Sequence, residues 1–267
     1  VLRLAVIGFP VGHSRSPAMQ SAALADLGLA GEWSYGAVEV EPEGFGAKVR
    51  EMADSGEYAG ANVTVPHKEA ALALAEGATS AAREIGAANT LSFGAEGWID
   101  ADNTDARGLL AALGTTPLDA SARALVLGAG GAARAAVWAL VGEGARVEVW
   151  NRTGFRAVNL CGQLGGKAVE EPTGSEYDLI VNTTSVGLRG EDPFEELPLS
   201  QDDFAEGQLV VDMVYGERPS PLLAAAKAAG AATVDGLEIL VQQGALSLEI
   251  WTGRKPDLDV MRAAARR

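Results

Sequence analysis

Followed for hydrophobic and polar positions alone, the chain alternates two kinds of segment. From residue 1 to about 105, the runs "RLAVIGF", "YGAVEV", "GANVTV" and "ANTLSF" predict strands, and "SPAMQSAALADLGL", "PEGFGAKVREMADSG" and "HKEAALALAEGA" between them predict helices. Such alternation predicts a parallel α/β layer. From about 121 the rhythm restarts, and "ARALVLGAGGAARAAVWALVGEGARVEVWNRT" reads as strand, glycine turn, helix and second strand, one βαβ unit. Strands at "YDLIVNTT", "QLVVDMVY" and "AATVDG" complete a doubly wound sheet by about 234. The helix "LEILVQQGALSLEIW" need not belong to that sheet. The expected fold class is α/β with two domains: 1–105 with a mostly parallel sheet, 106–234 of the Rossmann type, and C-terminal helices over 235–267.

Composition narrows what these domains can do. The 267 residues suffice for one large domain or two modest ones, and with 48% of them hydrophobic they can fill ordinary cores. No apolar run approaches the ~20 residues of a membrane span. The opening "LRLAVIGF" lacks the cleavage site and length of a signal peptide and reads as a buried strand. The single cysteine, Cys161, excludes an internal disulfide framework, fits a reducing cytosol and reads as a small core residue. Against 36 acidic residues stand 21 basic ones, a net charge of -15 that argues against nucleic acid as a partner. An anionic ligand would need local cations, so single Arg and Lys residues beside ligand-binding loops carry information.

The glycine turn is the first candidate site. "LVLGAGGAAR" sets Gly128, Gly130 and Ala133 at the spacing G-x-G-x-x-A between a strand and a helix. The first glycine makes the turn, the second admits a pyrophosphate to the backbone, and the small third residue lets helix and strand pack closely. Amides at the helix start then hold the phosphates. At the end of the next strand, a cofactor with a free ribose 2′-hydroxyl calls for an acid, and one with a 2′-phosphate calls for arginine. Here stand Asn151, Arg152, Thr153 and Arg156, with no carboxylate in the turn. NADP(H) is therefore favoured over NAD(H), because guanidinium pairs well with phosphate.

Nicotinamide chemistry at a carbonyl also needs a proton donor and acceptor. One cysteine with His13 and His67 cannot supply a Cys-Cys-His zinc site, so no metal is expected. A Tyr-x-x-x-Lys pair is absent, since Glu39, Asn62, Val181 and Pro219 stand four residues beyond the four tyrosines. Neither histidine lies in the nucleotide half. Lysine remains. Lys68 follows Pro66, which suits the first helical position. There the helix dipole and any burial favour the neutral amine, and a nearby carboxylate favours the ammonium. Asp105, also in a first helical turn, is the candidate carboxylate. Taken alone, Lys68 is more commonly a surface lysine and Asp105 a helix-start acid. Yet "GHSRSPAMQ", "NVTVPHKEA" and "DNTDARG" all mark turns from extended chain into helix, which a parallel sheet would bring to one edge. Ser14 and Ser16 (alone, a helix cap), with Asn62, Thr64 and Asn89, would make that edge rich in uncharged hydrogen-bonding groups. Gln243 shares a helix face with Ile239, Leu246 and Ile250, so its amide would need a partner.

Taken together and in order over nearly the whole chain, "GHSRSP", "NVTVPHK", "AANTL", "DNTD", "GAGGAAR", "NRT", "DMVY" and "DGLEILVQQG" resemble the shikimate dehydrogenase family. That resemblance implies a cytoplasmic enzyme that reduces 3-dehydroshikimate to shikimate with NADPH, on the route to aromatic amino acids. Its partners would be this small-molecule substrate and NADP(H), with no nucleic acid, no membrane, and a homodimer allowed. It implies a proton-transferring pair at Lys68 and Asp105, and substrate contacts from Ser14, Ser16, Thr64, Asn89, Tyr215 and Gln243, with Asn62 close by. Cofactor contacts would come from Gly128, Ala129, Gly130, Gly131 and Ala132, then Asn151, Arg152, Thr153 and Arg156, with Met213 and Gly236 flanking the nicotinamide. The N-terminal domain would bind substrate, the Rossmann domain NADP, and the tail helix would return to the first domain with Gln243. His67 departs from an aromatic often seen before the lysine, and "NTTSVG" from the family's "NATSxG". Two rival readings stay open at this point: a quinate/shikimate dehydrogenase using NAD, and a nonenzymatic NADP(H)-binding regulator.

Overall fold

A computed structural model describes residues 1–116, 118–216 and 220–267. The N-terminal elements are β1 (Leu2–Gly8), α1 (Ser16–Asp26), β2 (Trp33–Glu39), α2 (Phe45–Asp54), β3 (Tyr58–Val63), α3 (Lys68–Leu74), β4 (Gly77–Ala78), α4 (Ser80–Ile85), β5 (Thr90–Phe93), β6 (Ile99–Asp102) and α5 (Asp105–Leu113). Their strands form one sheet in the order β2-β1-β3-β5-β6-β4. Leu4 to Ile7 of β1 are all buried, as a central strand covered on both faces requires. On one face Phe45, Val49 and Met52 of α2 pack on Ile7, Val63, Leu91 and Ile99.

The sheet is mostly parallel, as the sequence pattern predicts, with one reversed strand. β5 runs antiparallel to both β3 and β6. The link from β5 to β6 is a short turn closed by Gly94 N–H donating to Trp98 O at 2.8 Å, and a connection that short joins only antiparallel strands. The short β4 and α4 lie below the length at which periodicity speaks. α4 is instead written in its ends: Thr79 Oγ1 accepts from Ala82 N at 3.2 Å, and Gly86 stops the helix at φ 75°.

Two helix starts also differ from expectation. α3 begins at Lys68 with His67 as the preceding cap residue, so Pro66 lies outside it. Ser16 is the first residue of α1 rather than its cap; Ser14 Oγ accepts the Ser16 N–H at 3.2 Å and does that work from outside. His67 is buried, its ring stacked on Phe45 at 4.4 Å, with Nε2 donating to Val40 O at 2.8 Å. The ring thus keeps the packing of an aromatic, and a carbonyl partner assigns the proton to Nε2. Burial, only partly offset by that hydrogen bond, holds its pKa below the ordinary 6.5. Folding therefore favours the neutral ring, and the stability it contributes is whole above about pH 6.5 and lost as pH falls through the folded value. His67→Phe, which forfeits a hydrogen bond worth about 1 kcal/mol, should be less stable than the parent at pH 7.5, by a gap that narrows toward pH 5. Denaturant unfolding across that range checks this; a constant gap would contradict it.

The second set comprises β7 (Arg123–Leu127), α6 (Gly131–Gly142), β8 (Arg146–Trp150), α7 (Gly154–Leu164), β9 (Lys167–Ala168), β10 (Leu179–Asn182), α8 (Pro193–Glu196), β11 (Leu209–Asp212), α9 (Pro221–Ala228) and β12 (Ala232–Asp235). Every pairing in its sheet is parallel, in the order β12-β11-β10-β7-β8-β9. That is the doubly wound Rossmann order, with its switch point between β7 and β10. Alternate residues fill the two faces: Ala124 and Val126 enter one core, Leu125 and Leu127 the other.

α10 (Gly236–Thr252) and α11 (Leu258–Ala265) close the chain. Residues 240–267 pack with 1–108 as one unit, α11 lying against α1, and residues 109–239 form the other. The divisions fall at 108/109 and 239/240 rather than at 105/106 and 234/235, because α5 and α10 each run across one. Among the described residues no helix is long and apolar enough to cross a membrane.

Candidate active site

Register draws three chain segments of the first sheet to one edge. Asn62 of β3 pairs with Thr90 of β5, and Thr90 with Asp102 of β6. Because β5 opposes both neighbours, the residues entering it lie beside those leaving β3 and β6. Past β3 the chain turns into α3 and presents Lys68; past β6 it turns into α5 and presents Asp105. Asn103 fixes the second turn, its Oδ1 accepting from the amides of Asp105 and Ala106 at 3.0 and 3.3 Å.

Lys68 Nζ donates to Asp105 Oδ2 at 2.6 Å, with the two side chains 15% and 11% exposed. A cation in the first turn of α3 faces the positive end of that helix, and the carboxylate offsets the cost. The other carboxylate oxygen accepts from Asn89 Nδ2 at 2.9 Å. Asn89 is itself held by Thr104 N–H, which donates to its Oδ1 at 2.7 Å. Its two Nδ2 hydrogens lie within reach of three acceptors, Asp105 Oδ1, Thr104 Oγ1 at 2.9 Å and Gln243 Oε1 at 3.0 Å. Only two can be served at once, and the charged oxygen makes the stronger bond. One neutral acceptor can therefore turn to a ligand without leaving Asn89 unpaired.

Gln243 on α10 is buried, but its surroundings are not the apolar stripe expected: Ile250 is 41% exposed, and the carboxamide meets Asn89 and the Leu240 carbonyl. α10 comes this close because residue 108 on α5 is glycine. A Cβ there would stand 2.7–2.9 Å from the Cβ, N and Cα of Gln243, atoms that cannot yield. Gly108→Ala should destabilise the protein by about 1–3 kcal/mol and depress activity with it. Thermal unfolding tests this, and an unchanged midpoint would contradict it.

Asn62 does not offer a free amide to the site. It is buried, its Oδ1 accepting from Tyr35 Oη at 2.7 Å and its Nδ2 donating to Ser247 Oγ at 2.9 Å. It supports the site from behind, with Thr90, Thr104 and Ser247 in one buried network. Ser14 and Thr64 are half-buried and Ser16 is buried. The loops after β1 and β3 touch: a Cβ at Gly8 would come within 2.4 Å of Thr64 Cγ2.

In the second unit the glycine turn is formed as its spacing predicts. Gly128 has φ 114°, and a Cβ there would meet Thr183 Oγ1 at 2.6 Å. Gly130 caps α6, with nothing within 4 Å of where its Cβ would be. These features fit a dinucleotide pyrophosphate at the start of α6, with Ala129, Gly131 and Ala132 alongside. Beyond β8, a groove of about 340 Å³ is lined by Trp150, Asn151, Arg152, Thr184, Ser185, Val186, Glu191, Glu196 and Leu197. Thr153 and Arg156 lie outside that lining, exposed at the start of α7. Met213 and Gly236 are adjacent, a Cβ at Gly236 falling 2.4 Å from Met213 O, and Tyr215 is half-buried in the same unit. No group of His, Cys, Asp and Glu among the described residues is arranged to hold a metal ion.

Comparison with known proteins decides the family. The chain matches the family models described as shikimate dehydrogenase substrate binding domain over residues 6–91, shikimate / quinate 5-dehydrogenase over 112–186, and shikimate 5′-dehydrogenase C-terminal domain over 236–266. It is 46% identical to the shikimate dehydrogenase (NADP(+)) of Anaeromyxobacter sp. (strain Fw109-5), across 97% of this chain and 94% of that protein. The chain belongs to the shikimate dehydrogenase family. A second member, a shikimate dehydrogenase (NADP(+)) of Thermus thermophilus, is 44% identical across 100% of this chain and 98% of its own length. The crystal structure of a shikimate 5-dehydrogenase of Thermus thermophilus in complex with NADP(H) and shikimate, 44% identical, superposes with a TM-score of 0.88, covering 100% of this chain and 99% of that one.

Several residues of this family member's site escaped sequence reasoning. Thr104, Ser247, Thr90 and Tyr35 are small or ordinary side chains far apart in sequence, and only the fold joins them. Glu196 lies 44 positions beyond Arg152 and yet pairs with it at 3.5 Å.

Proposed function

We propose that this protein is an NADP-dependent oxidoreductase that reversibly reduces 3-dehydroshikimate to shikimate. The observation that carries the reading is the Lys68–Asp105 pair, 2.6 Å apart and oriented by Asn89, in a chain that also holds a complete Rossmann unit. NADPH, when bound, supplies the hydride. The protein's own part is to hold the ketone and manage one proton. Lys68, as the ammonium, donates that proton to the substrate oxygen as negative charge develops there; in the reverse direction the amine takes it back from the hydroxyl. Asp105 keeps the ammonium pointed at the ring and accepts from a ring hydroxyl. Asn89 borders the substrate while it orients Asp105. Ser14 and Ser16 offer hydroxyls to the substrate carboxylate, and Thr64, Tyr215 and Gln243 bind the remaining hydroxyls. Gln243 Oε1 is suited to this, because Asn89 can serve Thr104 in its place.

In the second unit, Gly128 to Ala132 hold the pyrophosphate, Asn151 to Arg156 the adenosine end, and Met213 with Gly236 the nicotinamide. Arg152 distinguishes NADP from NAD by pairing with the 2′-phosphate. Steady-state oxidation of shikimate and of quinate, each with NADP⁺ and NAD⁺, tests the whole assignment. The shikimate and NADP⁺ combination should have the highest kcat/KM, and a preference for quinate with NAD⁺ would overturn it.

A further inference from the structure

The groove beside β8 holds an arginine and two carboxylates, and the second of these is the informative one. Glu191 Oε2 is already engaged, accepting the amides of Gly187 at 3.1 Å and Arg189 at 2.9 Å. Glu196 instead lies 3.5 Å from Arg152 Nη1. Its backbone is fixed: Asp192 caps α8 through Phe194 N at 2.9 Å, Phe194 packs edge-on against Phe204 at 6.4 Å, and Leu197 is buried. The carboxylate is therefore delivered to the groove by an anchored element rather than by a loose loop.

On the reading that this groove takes the adenosine ribose, we propose that Glu196 is a specificity-determining residue: the counter-ion of Arg152 that a 2′-phosphate must displace. The two anions compete for one guanidinium, and the like charges of carboxylate and phosphate repel within the same groove. A 2′-hydroxyl meets no such competition and can donate to the carboxylate. Glu196 thus weakens NADP(H) more than NAD(H), and moderates a preference that Arg152 alone would make steeper.

Removing the charge should release Arg152. In Glu196→Gln the dissociation constant for NADPH should fall about twofold to fivefold, the range expected of an exposed ion pair, with the NADH constant unchanged or raised. The difference should shrink at high salt. The experiment is calorimetric titration of the full chain with NADPH and with NADH, for the parent, Glu196→Gln, Arg152→Ala and the double variant. Arg152→Ala should weaken NADPH by about tenfold or more and leave NADH nearly unaffected. The gain from Glu196→Gln should largely vanish in the Arg152→Ala background. If Arg152→Ala behaves so but Glu196→Gln leaves the NADPH to NADH ratio unchanged, the counter-ion role is wrong and the cofactor assignment stands. If Arg152→Ala changes neither constant, the assignment of the groove fails and the role of Glu196 falls with it.

Discussion

Lys68→Ala is expected to lower kcat by at least about a hundredfold, the low end of what general acid–base catalysis supplies, with only a modest change in KM for shikimate. The split follows from position. Lys68 touches Asp105 rather than the hydroxyl-rich loop after β1, so removing it takes away the proton donor and leaves Ser14, Ser16 and Thr64 in place to bind. Roughly 2.7 kcal/mol of barrier corresponds to a hundredfold. Because the variant strands a carboxylate that is 11% exposed, thermal unfolding belongs beside the kinetics. A folded variant with full turnover would remove Lys68 from the chemistry.

Asp105→Asn should cost about as much in kcat, for a different reason. The replacement keeps shape and volume but offers one acceptor where the carboxylate offered two. Its present partners, Lys68 Nζ at 2.6 Å and Asn89 Nδ2 at 2.9 Å, are both donors. Whichever way the carboxamide turns, its NH₂ faces a donor, so either the lysine or Asn89 loses its anchor. An unpaired buried polar group costs about 1–3 kcal/mol, so the unfolding midpoint should drop while the protein still folds. Steady-state kinetics and thermal unfolding together test this. Retained turnover at the parent's midpoint would show that orientation by Asp105 does not matter.

The Rossmann half was legible in the sequence because its signals are local: an apolar strand, glycines at fixed offsets and a helix all lie within "LVLGAGGAARAAVWAL". The N-terminal half was legible as alternation and as a mostly parallel sheet, but not in the reversal of β5. Whether β5 runs with or against β3 depends on connections through two short elements whose periodicity is too brief to detect. That one reversal decides the site, since it sets Asn89 beside Lys68 and Asp105. Gln243 was visible as a polar residue on an apolar helix, but not what it faces, which depends on the glycine at 108 on another helix. Asn62 looked like its polar neighbours and proved to face inward, because strand alternation gives the side of a residue and not the depth of what covers it. Arg152 read as an unopposed cation because its acidic partner is distant in sequence.

The most direct measurement is the nicotinamide absorbance of NADPH mixed with 3-dehydroshikimate and the purified protein. A loss of absorbance matched mole for mole by shikimate formed is the expected result. Unchanged absorbance, in a protein that titration shows to bind NADPH, would contradict the assignment of Lys68 and Asp105 to this reduction.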